Sequence, residues 1–257
     1  MPVRCVCLAQ PPRGAYDDRM SLPDSLVANL TAVREPVVLS WSGGKDSMLA
    51  LEALRADDTV EVVGLLTSVT REYDRISIHG VRRELLEAQA RALSLPLHIV
   101  WLDAACSNAS YEQAFLAAVR QLCAIQPGLR RIAFGDLFLA DVRAYRERLL
   151  EAVGLRTHFP LWLRDTGVLA RHFIASGYRA YLTCIDTTQI DQGFAGRSFD
   201  LELLAGLPAS ADPCGEKGEF HTFVFDGPEF RQPVACSPEE VVLRDQRFAY
   251  CDLIGTR

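Results

Sequence analysis

Two kinds of hydrophobic pattern alternate along the first 155 residues of the chain. Short runs of consecutive apolar residues are typical of strands buried on both faces, and longer stretches with an apolar residue every three or four positions are typical of amphipathic helices. The runs predict strands at residues 37–41, 61–69, 97–103 and 130–137. The stretches predict helices at residues 47–54, 81–93, 111–125 and 142–155, with a polar loop at 70–80. This alternation predicts a parallel sheet that is covered by helices on both faces.

The pattern changes after residue 155. Beyond it the sequence predicts a helix at residues 167–177, a strand at 178–186 and short β segments at 233–253. The predicted fold class is therefore α/β, with a Rossmann-like parallel sheet followed by a smaller α+β domain. The predicted divisions are an N-terminal extension at residues 1–35, the α/β domain at 36–155 and the α+β domain at 156–257.

Composition and charge narrow the class of protein. The 257 residues are 49% hydrophobic and 23% charged, which is typical of a globular protein. A net charge of −6 with scattered Lys and Arg argues against nonspecific nucleic-acid binding. The sequence offers neither a signal peptide nor an apolar run long enough to span a membrane, so we expect a cytoplasmic protein.

The eight cysteines are spread along the chain, as expected of reduced, mostly buried thiols. The one close pair, Cys5 and Cys7, lacks the two-residue spacer and the second pair of a zinc site, so no metal site is predicted there.

The turn after the first predicted strand carries residues suited to an anion, in the order Ser42-Gly-Gly-Lys-Asp-Ser47. It fits neither the Walker A pattern nor the dinucleotide pattern of spaced glycines. Adjacent glycines nevertheless let backbone N–H groups converge on a phosphate, the helix N-terminus adds its positive end, and Lys45 adds a charge. We expect Lys45 at the surface of an open cleft; the alternative is a turn that serves packing alone.

This turn resembles the PP-loop of the adenine nucleotide alpha-hydrolase-like ATP pyrophosphatases. Four further segments resemble the diphthine-ammonia ligase family in its bacterial branch, namely IHGVRRELLEAQARALSLPL, FGDLFLADVRAYRERLLEAVGL, FPLWLRDT and DPCGEKGEFHTFVFDGPEF. The resemblance implies a HUP-type PP-loop domain that binds ATP and Mg²⁺. It also implies a ligase that adenylates a carboxylate, releases pyrophosphate, and then forms an amide with ammonia as AMP leaves. Because bacteria do not make diphthamide, the acceptor is left open.

A second motif, CGEKGEFHT at residues 214–222, places two carboxylates and an imidazole close together. In an amidation these groups are suited to holding ammonium, accepting its proton or binding the Mg²⁺ of ATP. A hairpin turn with solvated glutamates and a zinc site are the alternatives, and the resemblance favours the functional interpretation. We expect this motif to serve acceptor or amine from the second domain and to meet the first motif when the cleft closes.

The candidate residues fall into three groups. The catalytic candidates are Lys45, Asp46, Glu216, Glu219 and His221. The nucleotide-binding candidates are Ser40, Ser42, Gly43, Gly44, Lys45, Asp46, Ser47, Thr67, His79, Gly135 and Asp136. The substrate-binding candidates are Arg143, Arg146, Cys214, Gly215 and Gly218, and no residue is assigned to a structural metal.

The expected partners are ATP, ammonia or another amine, and an unidentified carboxylate on a small molecule or a protein. A homo-oligomer is compatible with the sequence, and no membrane or nucleic-acid partner is expected. Two alternative functions stay open at this point: a tRNA-modifying PP-loop enzyme of the thiolation type, and a protein that binds adenine nucleotide without turnover.

Overall fold

A computed structural model describes residues 34–77 and 80–256. Most of the predicted extension and the candidate His79 lie outside the described residues. Among the described residues, no helix combines the length and the apolar character needed to cross a membrane.

The first sheet has six strands, and five of them are parallel. They are β1 (Glu35–Ser40), β2 (Val60–Thr70), β3 (Arg75–Ile76), β4 (Leu97–Leu102), β5 (Arg131–Ala133) and β6 (Arg156–His158). β1 lies between β2 and β5, β4 pairs with the far side of β2, and β6 pairs with β5. The short β3 pairs antiparallel with the end of β2. With β1 in the centre and the order reversing between β1 and β5, the sheet has the switch point at which α/β proteins bind ligands.

Within residues 34–77 and 80–256, six helices connect and cover the strands. They are α1 (Lys45–Arg55), α2 (Arg83–Leu93), α3 (Asn108–Ile125), α4 (Ala140–Glu151), α5 (Thr166–Ala175) and α6 (Leu201–Gly206), with a 3₁₀ turn at Gln192–Phe194. Val37 and Leu39 of β1 point into one hydrophobic core and Val38 points into another, so both faces of the sheet are buried. The predicted α/β fold class, with helices on both faces of a parallel sheet, is confirmed.

A second, antiparallel sheet follows. Its strands are β7 (Arg179–Asp186), β8 (Phe220–Asp226), β9 (Cys236–Arg244) and β10 (Phe248–Gly255), in the order β8-β7-β10-β9. Phe220 and Phe223 of β8 share one core with Met48 and Leu51 of α1. The second sheet therefore packs against the helix that follows β1, and this contact brings distant parts of the sequence to the ligand edge.

Several predicted elements differ from the observed ones. The predicted strand at 130–137 is reduced to the three residues of β5, and its last residues form a loop. The predicted helix at 142–155 ends at Glu151, because the chain turns at Gly154 and enters β6. The predicted loop at 70–80 contains the short strand β3. The sequence analysis missed β3 and β6, because two or three residues carry no periodicity. The division at residue 155 stays a prediction.

Candidate functional site

The glycine loop, residues 41–44, connects the carboxyl end of β1 to the start of α1. Gly43 has a φ of 77°, a conformation that favours glycine, and Gly44 is the residue before the first helical turn. Within the described residues, the backbone N–H group of Ser47 donates to no protein acceptor, whereas the N–H of Asp46 donates to its own carboxylate. A free N–H group at a helix N-terminus, beside the Ser42 hydroxyl, forms a suitable site for a phosphate.

Ser42 and Ser47 hold the shape of this loop. The Ser47 hydroxyl donates to the Gly44 carbonyl at 2.8 Å, and the two serine oxygens lie 3.2 Å apart. The Gly44 N–H points to the Ser42 hydroxyl at 3.3 Å, a long contact that a better acceptor can replace.

Gln89 on α2 holds the glycine loop in place by hydrogen bonds. The sequence analysis did not identify this residue. Its side chain is fully buried, and its amide donates to the carbonyl oxygens of Gly43 at 2.9 Å and Val224 at 2.6 Å. Its own oxygen accepts from the Trp41 indole at 2.9 Å. A Cβ at position 43 would lie 2.9 Å from both Gln89 and Leu86. The glycine is therefore required by packing as well as by φ.

Lys45 does not lie at the surface of an open cleft, so that expectation is wrong. It is 2% exposed, and its ammonium group binds the Asp46 carboxylate at 2.8 Å and the backbone carbonyl of Cys214. The rings of Phe220 and Phe199 lie 5.3 and 5.8 Å from it. Burial opposes the charge, but Asp46, Cys214 and Glu216 together outweigh this effect and raise the pKa of Lys45. The lysine points into the protein because the second sheet covers this end of α1.

The two motifs are in contact in this structure, whereas we expected them to meet only on closure of a cleft. The Lys45 side chain reaches Cys214, and the Lys45 backbone N–H donates to the Thr222 hydroxyl at 3.0 Å. A Cβ on Gly44 would lie 3.0 Å from the Thr222 carbonyl, so the backbones approach closely. Thr222 belongs to the second motif, but the sequence analysis did not assign it a role.

Glu219 holds the second motif together. The residue is 1% exposed, and its two oxygens accept from the backbone N–H groups of Asp212 at 2.7 Å and Lys217 at 2.9 Å. The alternative of a turn with solvated glutamates is wrong for this residue. Asp212, which the sequence analysis did not single out, accepts from the Cys214 N–H at 2.8 Å and from the Thr166 hydroxyl at 2.8 Å.

Glu216 extends from the second motif to the first sheet. One oxygen accepts from the Leu137 N–H, in the loop after β5, at 2.9 Å. Burial raises the pKa of Glu216 to about 7, although this hydrogen bond favours the charged form. A carboxyl group that titrates near neutral pH is suited to proton transfer. Glu216 is thus the carboxylate of the second motif best placed for chemistry.

His221 and Cys214 complete the second motif. Burial, with a smaller contribution from the Lys45 charge, lowers the pKa of His221 to about 4, so its imidazole is neutral at pH 7. Burial raises the pKa of Cys214 to about 12, so its thiol is not a nucleophile at neutral pH. Gly215 and Gly218 have φ values of 68° and 84° and turn the chain between them.

The loop after β5 lies directly against the start of α1. A Cβ on Gly135 would lie 2.9 Å from the Asp46 carbonyl oxygen, so glycine is needed at this approach. The next residue, Asp136, forms an ion pair with Arg146 at 2.6 Å, and Arg146 covers the Phe134 ring at 4.4 Å. Asp136 is therefore at the ligand edge as predicted, but its carboxylate already has a cationic partner.

Arg143 lies apart from the glycine loop. It binds Glu147 at 2.8 Å and lies 5.0 and 4.8 Å from the Phe159 and Trp162 rings. Thr67 is 3% exposed on β2, next to the residue that pairs with Ser40.

Two buried oxygens near the loop lack partners among the described residues. They are Asp46 Oδ1 and Thr67 Oγ1. Buried polar atoms are normally hydrogen-bonded, so an unpaired carboxylate oxygen near the free N–H group of Ser47 fits a Mg²⁺-bound polyphosphate. Within the described part of the chain, no cluster of three or more His, Cys, Asp or Glu side chains is arranged to hold a metal ion by itself.

A surface cavity lies between β4 and α3. It measures about 440 Å³ and is lined by Leu97, His98, Ile99, Trp101, Ala118, Gln121, Leu122 and Ile125. None of the candidate residues lines this cavity.

Two comparisons with known proteins give matches to this chain. Models of the N-terminal and C-terminal domains of diphthamide synthase match residues 35–157 and 165–252. A diphthine–ammonia ligase of Schizosaccharomyces pombe is 24% identical over 217 residues, which are 78% of this chain and 36% of the relative. The chain thus spans about a third of the length of this curated relative.

Proposed function

The chain belongs to the diphthamide synthase family, and on this premise we propose that it is an ATP-dependent ligase that joins ammonia to an activated carboxylate. The observation that carries the proposal is the direct contact between the first residue of α1, which follows the phosphate-suited loop, and the second motif, whose Glu216 has a pKa raised by burial to about 7. One motif is suited to hold the nucleotide, and the other is suited to handle the proton of the amine.

In the first step, an oxygen of the acceptor carboxylate attacks the α-phosphorus of ATP, and pyrophosphate leaves. The free N–H group of Ser47 and the Ser42 hydroxyl are suited to bind the leaving phosphates and to stabilise their charge. Asp46 Oδ1 is the protein oxygen offered to Mg²⁺, which when bound neutralises part of the phosphate charge.

Lys45 takes a different role from the one that we expected. Its ammonium group is buried against Asp46 and Cys214, so it fixes the second motif against the first. Its charge also contributes to the positive potential at the start of α1. We assign it as a positioning residue.

In the second step, ammonia attacks the carbonyl carbon of the acyl-adenylate, and AMP leaves. The attacking nitrogen must lose a proton, and Glu216 is suited to accept it because burial raises its pKa to about 7. Neutral His221 is suited to orient the amine by a hydrogen bond without repelling a cation. Glu219 is excluded from this role, because its two oxygens are occupied by backbone N–H groups.

The thiolation alternative is less compatible with the cysteines. Of the three cysteines considered for this alternative, Cys184 and Cys214 are buried, and burial raises their pKa values to about 11 and 12. Cys106 is partly exposed. A sulfur carrier needs an accessible thiolate near neutral pH. The amide-forming interpretation requires no such thiol.

The test measures AMP and pyrophosphate from ATP with ¹⁵N-ammonium and a panel of carboxylates. The panel includes protein-bound diphthine, the acceptor in the name of the relative, and mass spectrometry follows ¹⁵N in the product. We expect AMP only when both acceptor and ammonium are present. Glu216→Gln should bind ATP normally and reduce AMP formation by about 10²-fold, the scale of losing a general base. Tight ATP binding without AMP from any acceptor would instead support a nucleotide-binding protein without turnover.

A further inference from the structure

Strand β9 forms one end of the second sheet, and in the described part of the chain it pairs with β10 alone. Each of its last six residues, from Glu239 to Arg244, is exposed. This half of the strand therefore has solvent on both faces and a free backbone edge.

Three consecutive residues in this exposed half are apolar. Val241, Val242 and Leu243 are 43%, 38% and 50% exposed. Because neighbouring side chains on a strand point to opposite faces, the apolar surface is present on both faces of the edge. A long, apolar, unpaired edge strand is a template for pairing with another strand.

The charges near this edge are arranged symmetrically about its centre. Glu240 lies two residues before Val242, and Arg244 lies two residues after it. Neither side chain forms an ion pair among the described residues. An antiparallel second copy centred on Val242 would place each Glu240 opposite an Arg244, so the edge is complementary to itself.

We propose that two copies of the chain associate edge to edge through β9, with Val242 opposite Val242 of the second copy. In this register Val241 lies opposite Leu243, and Glu240 lies opposite Arg244. One face of the new pair carries the two charge pairs around the central valines, and the other face carries the two Val241–Leu243 pairs. The two four-stranded sheets become one continuous sheet of eight strands.

The side chains select this register over its neighbours. A shift by one residue in one direction keeps an ion pair, between Glu239 and Arg244, but places Glu240 opposite Leu243. A shift in the other direction places Val241 opposite Arg244. Each shift therefore sets a charged side chain opposite an apolar one, which the proposed register avoids. Glu239 would face Asp245, but Asp245 lies in the turn beyond β9, where the strand has ended.

The proposed association stops at two copies of the chain. A two-fold axis through Val242 uses the same edge on both copies, so no β9 edge remains for a third chain. Because the interface rests on one strand from each copy, it belongs to the small size class, and we expect micromolar dissociation constants.

The test is sedimentation velocity of the full chain over a concentration series from about 1 to about 200 µM, the range in which small interfaces dissociate. The wild type should pass from monomer to dimer. E240R places two arginines opposite each other at both ends of the pair, and R244E does the same with glutamates, so each single variant should stay monomeric. The double variant E240R/R244E restores both opposite-charge pairs and should dimerise like the wild type.

Two controls distinguish an effect at the β9 edge from a general effect of changing the charge of the protein. E61R makes the same charge change at an exposed position of β2 and should dimerise like the wild type. The melting temperatures of all variants should match, because the substituted side chains are exposed. The proposal is overturned if the wild type stays monomeric, if E240R still dimerises, if the double variant fails to recover, or if species larger than dimers form.

Discussion

Replacing Lys45 by methionine tests the most unexpected feature of the site. Methionine keeps the length and apolar stem of the side chain but removes the charge. The Asp46 carboxylate and the Cys214 carbonyl then lose their buried donor. Breaking a buried ion pair from one side typically costs about 3–5 kcal/mol. Because Asp46 retains 28% side-chain exposure, we expect the lower end, about 3 kcal/mol.

Urea denaturation followed by circular dichroism measures this loss. With a urea slope of about 2 kcal/mol/M, a loss of about 3 kcal/mol moves the midpoint down by about 1.5 M. The pKa of Lys45 is raised above its ordinary value of 10.5, so its contribution is present below that pH and is lost only at still higher pH. The loss in the variant should therefore be largest at neutral to mildly alkaline pH and should shrink toward acid pH, because burial raises the pKa of Asp46 and the carboxyl left without Lys45 takes up a proton there.

Two variants sharpen the experiment. Lys217→Met removes the charge of an exposed lysine and should change stability by less than about 0.5 kcal/mol. The double variant Lys45→Met with Asp46→Asn leaves no unpaired carboxylate, so it should recover part of the loss. If Lys45→Met unfolds at the wild-type urea concentration, the lysine is not a buried contact between the motifs, and the reasoning is refuted.

Three other substitutions test the rest of the site. Glu216→Gln should melt increasingly above the wild type as pH rises from 4.5 to about 7, because the folded wild type keeps a proton that the unfolded chain releases; a constant difference in melting temperature would contradict the raised pKa. Glu219→Gln turns an amide donor toward a backbone N–H and should lower the free energy of unfolding in urea by about 1–3 kcal/mol, whereas unchanged stability with lost turnover would favour a catalytic role. Gly135→Ala places a methyl group 2.9 Å from the Asp46 carbonyl oxygen and should weaken ATP binding in calorimetry; wild-type affinity would show that this approach is not needed.

The sequence by itself determined the alternation of strands and helices in the first sheet and the place of the glycine loop. Both follow from local patterns: apolar runs and helical periods alternate over tens of residues, and a Gly-Gly turn followed by a helix presents N–H groups wherever it occurs. The loop therefore lies at the carboxyl end of β1, as predicted. Short elements were not predicted, because they carry too few residues for a pattern. The three residues of β6 form a strand because they pair with β5.

Only the tertiary structure decided how the site residues are used. Lys45 and Cys214 are 169 positions apart, and Gln89 reaches Val224 across 135 positions, so no local pattern contains these contacts. Glu216 and Glu219 are chemically identical and three residues apart in the sequence. The fold occupies Glu219 with backbone N–H groups and raises the pKa of Glu216 by burial. Residue type sets what a side chain is capable of, and desolvation and hydrogen-bond partners, which depend on packing, select what it does.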